Sequence, residues 1–114
     1  MKIQKFEDII SWQKSKELGI FIYSCLRVNK DFSFRDQFQR AAISTSNNIA
    51  EGFERRSNNE LKHFLYIAKG SCGEVRSMAH MALDLGYITE QEFDRIYPLS
   101  LEISRLLSGL IKTL

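Results

Sequence analysis

Apolar residues recur along this chain at steps of three and four, the spacing of one face of an α-helix. The stretch from Arg40 to Arg56, RAAISTSNNIAEGFERR, shows the pattern at the centre of the sequence. As a helix, it sets Phe38, Ala42, Thr45, Ile49 and Phe53 on one face, with Arg40, Ser44, Asn47 and Glu51 opposite. Ala41, Ser46, Ala50 and Gly52 lie between these faces. Residues that small let neighbouring helices come close on more than one side.

Extended to the whole chain, the pattern predicts four helices. The first runs from about Phe6 to Val28, with a wide stripe of Phe6, Ile9, Trp12, Leu18, Phe21, Ile22, Cys25 and Leu26. Asn29–Phe32 breaks it, and Ser33 with Asp36 forms a capping arrangement for a second helix from about Phe34 to Arg55. Ser57 and Glu60 make an S-x-x-E capping box, which starts a third helix near Asn58. That helix carries a heptad-like seam of Leu61, Leu65, Ala68, Cys72, Val75, Ala79 and Ala82, and Gly86 caps its end near Leu85. Gly70 and Gly73 each cost roughly 1 kcal/mol inside it, and close approach of another helix is the expected return. Thr89 and Glu92 open a fourth helix, which buries Phe93, Ile96, Ile103, Leu107, Leu110 and Leu114. Pro98 removes a hydrogen bond within it, so a kink near Asp94–Tyr97 is expected rather than two separate helices. Short connections make the expected architecture an all-α, antiparallel up-down four-helix bundle, one domain over residues 1–114.

Composition narrows the class. A single proline and six glycines favour long regular elements. No apolar run approaches the ~20 residues of a membrane span, and MKIQKFED lacks the apolar core of a signal peptide. The expectation is a cytoplasmic protein with no membrane partner. Cys25 and Cys72 stand alone inside apolar patterns and read as buried free thiols, not as a disulfide or a zinc site.

Catalytic chemistry finds no residue set. Glu60 and His63 make one Glu-x-x-His, but a di-metal helix bundle needs that motif twice plus two further carboxylates. No nucleophile–base set, reactive-cysteine context or phosphate loop is present. The reading is a non-enzyme with no metal and no cofactor. Arg40, Glu51 and Glu74 are expected to form a partly buried structural network that sets helix register.

Charge adds a candidate surface. The net charge is +2, with 13 Lys/Arg against 9 Asp/Glu in residues 1–82 and 3 against 5 thereafter. Lys62, Tyr66, Lys69, Gly73, Arg76 and His80 fall in one stripe on the third helix, expected on its outer face. Cations with an interleaved aromatic suit phosphate contact and base stacking, and a solvated face is the plainer reading of the same stripe. In an up-down bundle, Lys2, Lys5, Arg55, Arg56, Lys62 and Lys112 gather at one end against Glu7, Asp8, Glu54 and Glu60. Arg27, Lys30 and Arg35 meet six carboxylates at the other end. The candidate nucleic-acid contacts are therefore Arg55, Arg56, Lys62, Tyr66, Lys69 and Arg76. Ile43 and Ala50 lie off the main face of the second helix, Trp12, at the margin of the wide first stripe, is free to lie off that of the first, as are Ile10 and Ile20, and oligomerisation explains such second faces.

Four strings carry a resemblance over nearly the whole chain: Phe6-x5-Trp12, RAAISTSNNIAEGFERRS from Arg40, FLYIAKGSCGEV from Phe64, and Leu85-Gly86-Tyr87. They resemble the small bacterial four-helix-bundle proteins encoded in intervening sequences of 23S ribosomal RNA genes. Pro98 departs from the uninterrupted last helix common in that family. The resemblance implies a ring-forming homopentamer. It also implies similarity to the accessory variability protein of diversity-generating retroelements, which works beside a reverse transcriptase and binds nucleic acid. Two functions follow as expectations: an oligomeric binder of structured RNA, or a protein-interaction scaffold with no nucleic-acid role.

Overall fold

The computed structural model describes residues 3–114; of the basic residues named above, Lys2 lies outside them. Four α-helices account for most of the described chain: α1 Ile10–Cys25, α2 Phe32–Phe53, α3 Asn58–Asp84 and α4 Glu90–Lys112. They form an all-α bundle of 42 × 23 × 19 Å. Each helix packs against two neighbours, α1 on α2 and α4, and α3 on α2 and α4. Pairings across the interfaces run in opposite sequence directions. Gln37 meets Glu74, Ser44 meets Ser71, and Gly52 meets Leu61 and Phe64. Lys14 meets Glu102 while Glu17 meets Arg95.

The core is one cluster with contributions from every helix: Leu18 and Ile22, Phe38 and Ile49, Leu65 and Val75, Ile96, Ile103 and Leu107. Burying each such side chain contributes about 1.5–3 kcal/mol. Ser15 and Thr45 share this core by returning their protons to the preceding turn, whereas the buried Ser11 hydroxyl has no partner among the described residues. Ser15 donates to the Ser11 carbonyl at 2.6 Å, and Thr45 to that of Ala41 at 3.0 Å.

Several boundaries differ from the sequence expectation. The first helix is not continuous: a 3₁₀ turn at Phe6–Asp8 is separated from α1 by Ile9, whose backbone is extended. Ile9 is buried and the Phe6 and Trp12 rings meet edge-on at 5.0 Å, so apolar contact folds the turn back onto the helix start. α2 is capped by Asp31, not Ser33; the Asp31 carboxylate accepts the Phe34 N–H, which starts the helix two residues early. Ser57 accepts the Glu60 N–H as expected, but the Glu60 carboxylate meets the Ser57 hydroxyl at 3.3 Å rather than its N–H. Thr89 and Glu92 form the full reciprocal box. Gly86, at φ +73°, ends α3; its N–H reaches the Leu83 carbonyl and that of Tyr87 reaches Ala82. Pro98 sits within a single α4.

The close-packed glycine is Gly52, not Gly70 or Gly73. A Cβ on Gly52 would lie 2.8 Å from the Phe64 Cβ and 3.2 Å from Leu61, so α2 and α3 touch where α2 ends. At Gly70 an added Cβ would meet nothing within 4 Å, and at Gly73 only the Arg76 guanidinium at 3.7 Å.

Candidate nucleic-acid interface

The stripe on α3 lies along its edge with α4 rather than on the outermost face. Arg76 shows this: its guanidinium reaches the Ser100 carbonyl of α4 at 3.5 Å. One turn on, the His80 ring packs on Phe93 and Tyr97 at 5.0 and 5.4 Å. Lys62 and Lys69 stand at the preceding heptad steps, half-buried, with Tyr66 between them and 57% exposed. Neither lysine is in an ion pair among the described residues. A row of cations whose charge no carboxylate answers is left along this edge.

Arg55 and Arg56 sit where α2 passes into α3. Arg55 is already engaged. Its guanidinium bonds Glu51 at 2.6 Å, approaches Glu60 at 3.9 Å, and lies over the Phe64 ring at 4.7 Å. It braces the connection between α2 and α3; Arg56 beside it is also exposed and is in no ion pair among the described residues.

The structural network of Arg40, Glu51 and Glu74 does not form. All three side chains are exposed. Arg40 and Glu51 stand eleven residues apart on one straight helix, about 16 Å along its axis, beyond side-chain reach. Glu74 accepts a 3.5 Å hydrogen bond from Gln37, whereas Arg40 borders a hollow with Tyr23, Asp36 and Ile43 on the side facing α1. Between α2 and α3 a half-buried polar contact is hydroxyl to hydroxyl, Ser44 to Ser71 at 2.9 Å, with Asn48 donating to Ser44.

Both cysteines are free thiols, Cys72 fully buried and Cys25 half-buried. Burial pushes Cys72 up to about 11; its thiol donates to the Ser100 carbonyl at 3.1 Å. Burial, helped by the neighbouring Glu92 carboxylate, pushes Cys25 up to about 12. Neither thiol is set up to ionise near neutrality. Among the described residues, no three His, Cys, Asp or Glu side chains converge as a metal would require. No helix among them is long and apolar enough to cross a membrane.

Two features escaped the sequence reading. Tyr87 donates to the Asp31 carboxylate at 2.7 Å and packs its ring edge-on against Phe34, tying the turn after α3 to the start of α2. A groove of about 700 Å³ also runs between α1 and α2, floored by Gly19, Ile20, Tyr23 and Ile43. Gly19 in mid-helix, beside exposed Ile20, was the available signal for it.

A family model described as 23S rRNA-intervening sequence protein matches residues 7–109. The chain is also similar to a crystal structure from Bacteroides thetaiotaomicron, that of a protein with unknown function from the S23 ribosomal protein family. The TM-score is 0.84 at 28% identity, with 90% of this chain and 99% of that chain covered. No curated protein matches the chain.

Proposed function

The chain belongs to the 23S rRNA-intervening sequence protein family, and on that premise we propose that it is a non-enzymatic homo-oligomer that binds structured RNA. The contact surface is the α3 edge, Lys62, Tyr66, Lys69 and Arg76, continued by Arg56. The observation that carries this reading is the pair of lysines without carboxylate partners, flanking an exposed tyrosine on a rigid helix. Cations so placed release counterions from a phosphate backbone, and a tyrosine ring stacks on an unpaired base. Arg55 enters as a brace for the α2–α3 connection on which Arg56 stands, since two carboxylates already answer its charge. Five copies is the stoichiometry that the sequence resemblance implies.

The test is RNA affinity across a salt series for the native protein and for the double variant Lys62→Ala/Lys69→Ala, with helicity checked by circular dichroism. Native affinity should fall steeply with salt. The double variant should bind more weakly, with a log–log salt slope shallower by about 1 for each lysine–phosphate pairing removed. Unchanged affinity and slope in a folded double variant would sink this assignment.

A second reading, a protein-interaction scaffold with no nucleic-acid role, is favoured by the apolar floor of the α1–α2 groove. It predicts salt-insensitive association with a protein partner that survives nuclease treatment.

A further inference from the structure

Two exposed faces of the bundle complement one another in polarity and charge. The first is the groove between α1 and α2. Its floor of Gly19, Ile20, Tyr23 and Ile43 is apolar, and Lys16, Arg27 and Arg35 line it without a carboxylate among the lining residues. Asp36, at its margin, is paired with Arg35 at 3.3 Å, and Arg40 adds a further cation there. Glu17 is drawn away to Arg95 on the α4 side of α1.

The second face is the outer ridge of α3, where Ile67, Gly70, Glu74, Met81 and Leu85 follow one another at helical spacing. Met81 and Leu85 are each 53% exposed and Ile67 39%. The ridge carries carboxylates at Glu74 and Asp84 and no lysine or arginine; Lys62 and Lys69 stand on the edge towards α4. Glycine marks both faces. A Cβ added at Gly19 or at Gly70 would meet nothing within 4 Å, so packing within the chain explains neither residue. The missing Cβ at each leaves room for another helical surface to come close, as it also does at Gly109, which lies on neither face.

We infer that the outer α3 ridge of one copy seats in the α1–α2 groove of a second copy. The apolar ridge residues meet the groove floor, and Glu74 and Asp84 meet its cations. Because groove and ridge are different surfaces of the same chain, the contact is head-to-tail, the kind that repeats from copy to copy into a ring where its rotation closes and into a filament where it does not. The inference rests on the homo-oligomer reading above and names the surfaces that make it.

Single substitutions at exposed positions separate the two faces: Ile43→Arg blocks the groove and Met81→Arg the ridge. Light scattering coupled to size exclusion should find the native protein in a multi-copy assembly and each variant monomeric. Mixed one to one, the variants should form a dimer and nothing larger, since the intact ridge of one meets the intact groove of the other. A native protein that is monomeric would overturn the oligomer reading and this inference together. An assembled native protein with assembly kept in either variant, or variants that stay monomeric when mixed, would overturn the groove-and-ridge contact and leave the oligomer standing. Circular dichroism monitors folding. Ile20→Arg, at a position 62% exposed, and Leu85→Arg form a second pair should either first variant unfold.

Discussion

Gly52 and Gly109 make opposite predictions from the same substitution. An alanine Cβ at Gly52 would stand 2.8 Å from the Phe64 Cβ, an atom fixed to the α3 backbone that cannot rotate aside. Overpacking of that kind costs about 1–3 kcal/mol, set against roughly 1 kcal/mol gained in helix propensity. Gly52→Ala should lower the urea midpoint. At Gly109 a Cβ meets nothing within 4 Å, so Gly109→Ala should raise stability by up to about 1 kcal/mol. Midpoints moving in the same direction would contradict this packing difference. The Asp31–Tyr87 pair titrates with a definite sign. Donation from Tyr87, then the Phe34 N–H, holds the Asp31 carboxyl below its ordinary value, while the Asp31 carboxylate pushes the Tyr87 hydroxyl up. The Asp31 contribution is present above the ordinary carboxylate range and is lost as pH falls through its lowered value. The Tyr87 contribution is present below the ordinary tyrosine value and is lost as pH climbs through the raised one. In a spectroscopic titration, Asp31→Asn should move one tyrosine transition to lower pH; an unchanged titration would show that the pair does not persist in solution.

At the scale of elements, helix ends are the most informative comparison. Thr89–Glu92 was legible as a box, and both of its reciprocal bonds form. Ser57–Glu60 has the same spelling but closes only one, because the Glu60 carboxylate lies between the Ser57 hydroxyl and Arg55. Thr89→Ala should cost about 1 kcal/mol in chemical denaturation. Restoration of stability by Thr89→Ser would attribute that loss to the cap hydroxyl, and a loss that persisted in the serine variant would not. The periodicity placed α3 and α4 closely, since their apolar seams are long and their stop signals, Gly86 among them, are local. It missed the break at Ile9 because the apolar phase runs on across it: Phe6 and Ile9 pack inward from a 3₁₀ turn as they would from a helix.

At the scale of the whole molecule, which charges are available is decided between elements. Lys62, Lys69, Arg76 and Arg55 look alike as cations in a sequence. Packing turns Arg76 towards the Ser100 carbonyl and clamps Arg55 between Glu51 and Glu60, so the two lysines dominate the proposed RNA edge. The salt response is accordingly expected to depend on Lys62 and Lys69 more than on Arg55. Arg55→Ala should act mainly on the stability of the α2–α3 connection.

Periodicity and capping chemistry by themselves determined four helices, their approximate ends and the residues at the centre of the core, because these depend on neighbours within four positions along the chain. The family, too, was legible, in strings that span nearly all of it. Only the tertiary structure decided that Gly52 is the contact glycine, that Arg40 does not reach Glu51 or Glu74, that Tyr87 holds Asp31, and that a cation-lined groove opens between α1 and α2. Each of these depends on the rotation and register of one helix against another, which side chains far apart in sequence set jointly when they pack.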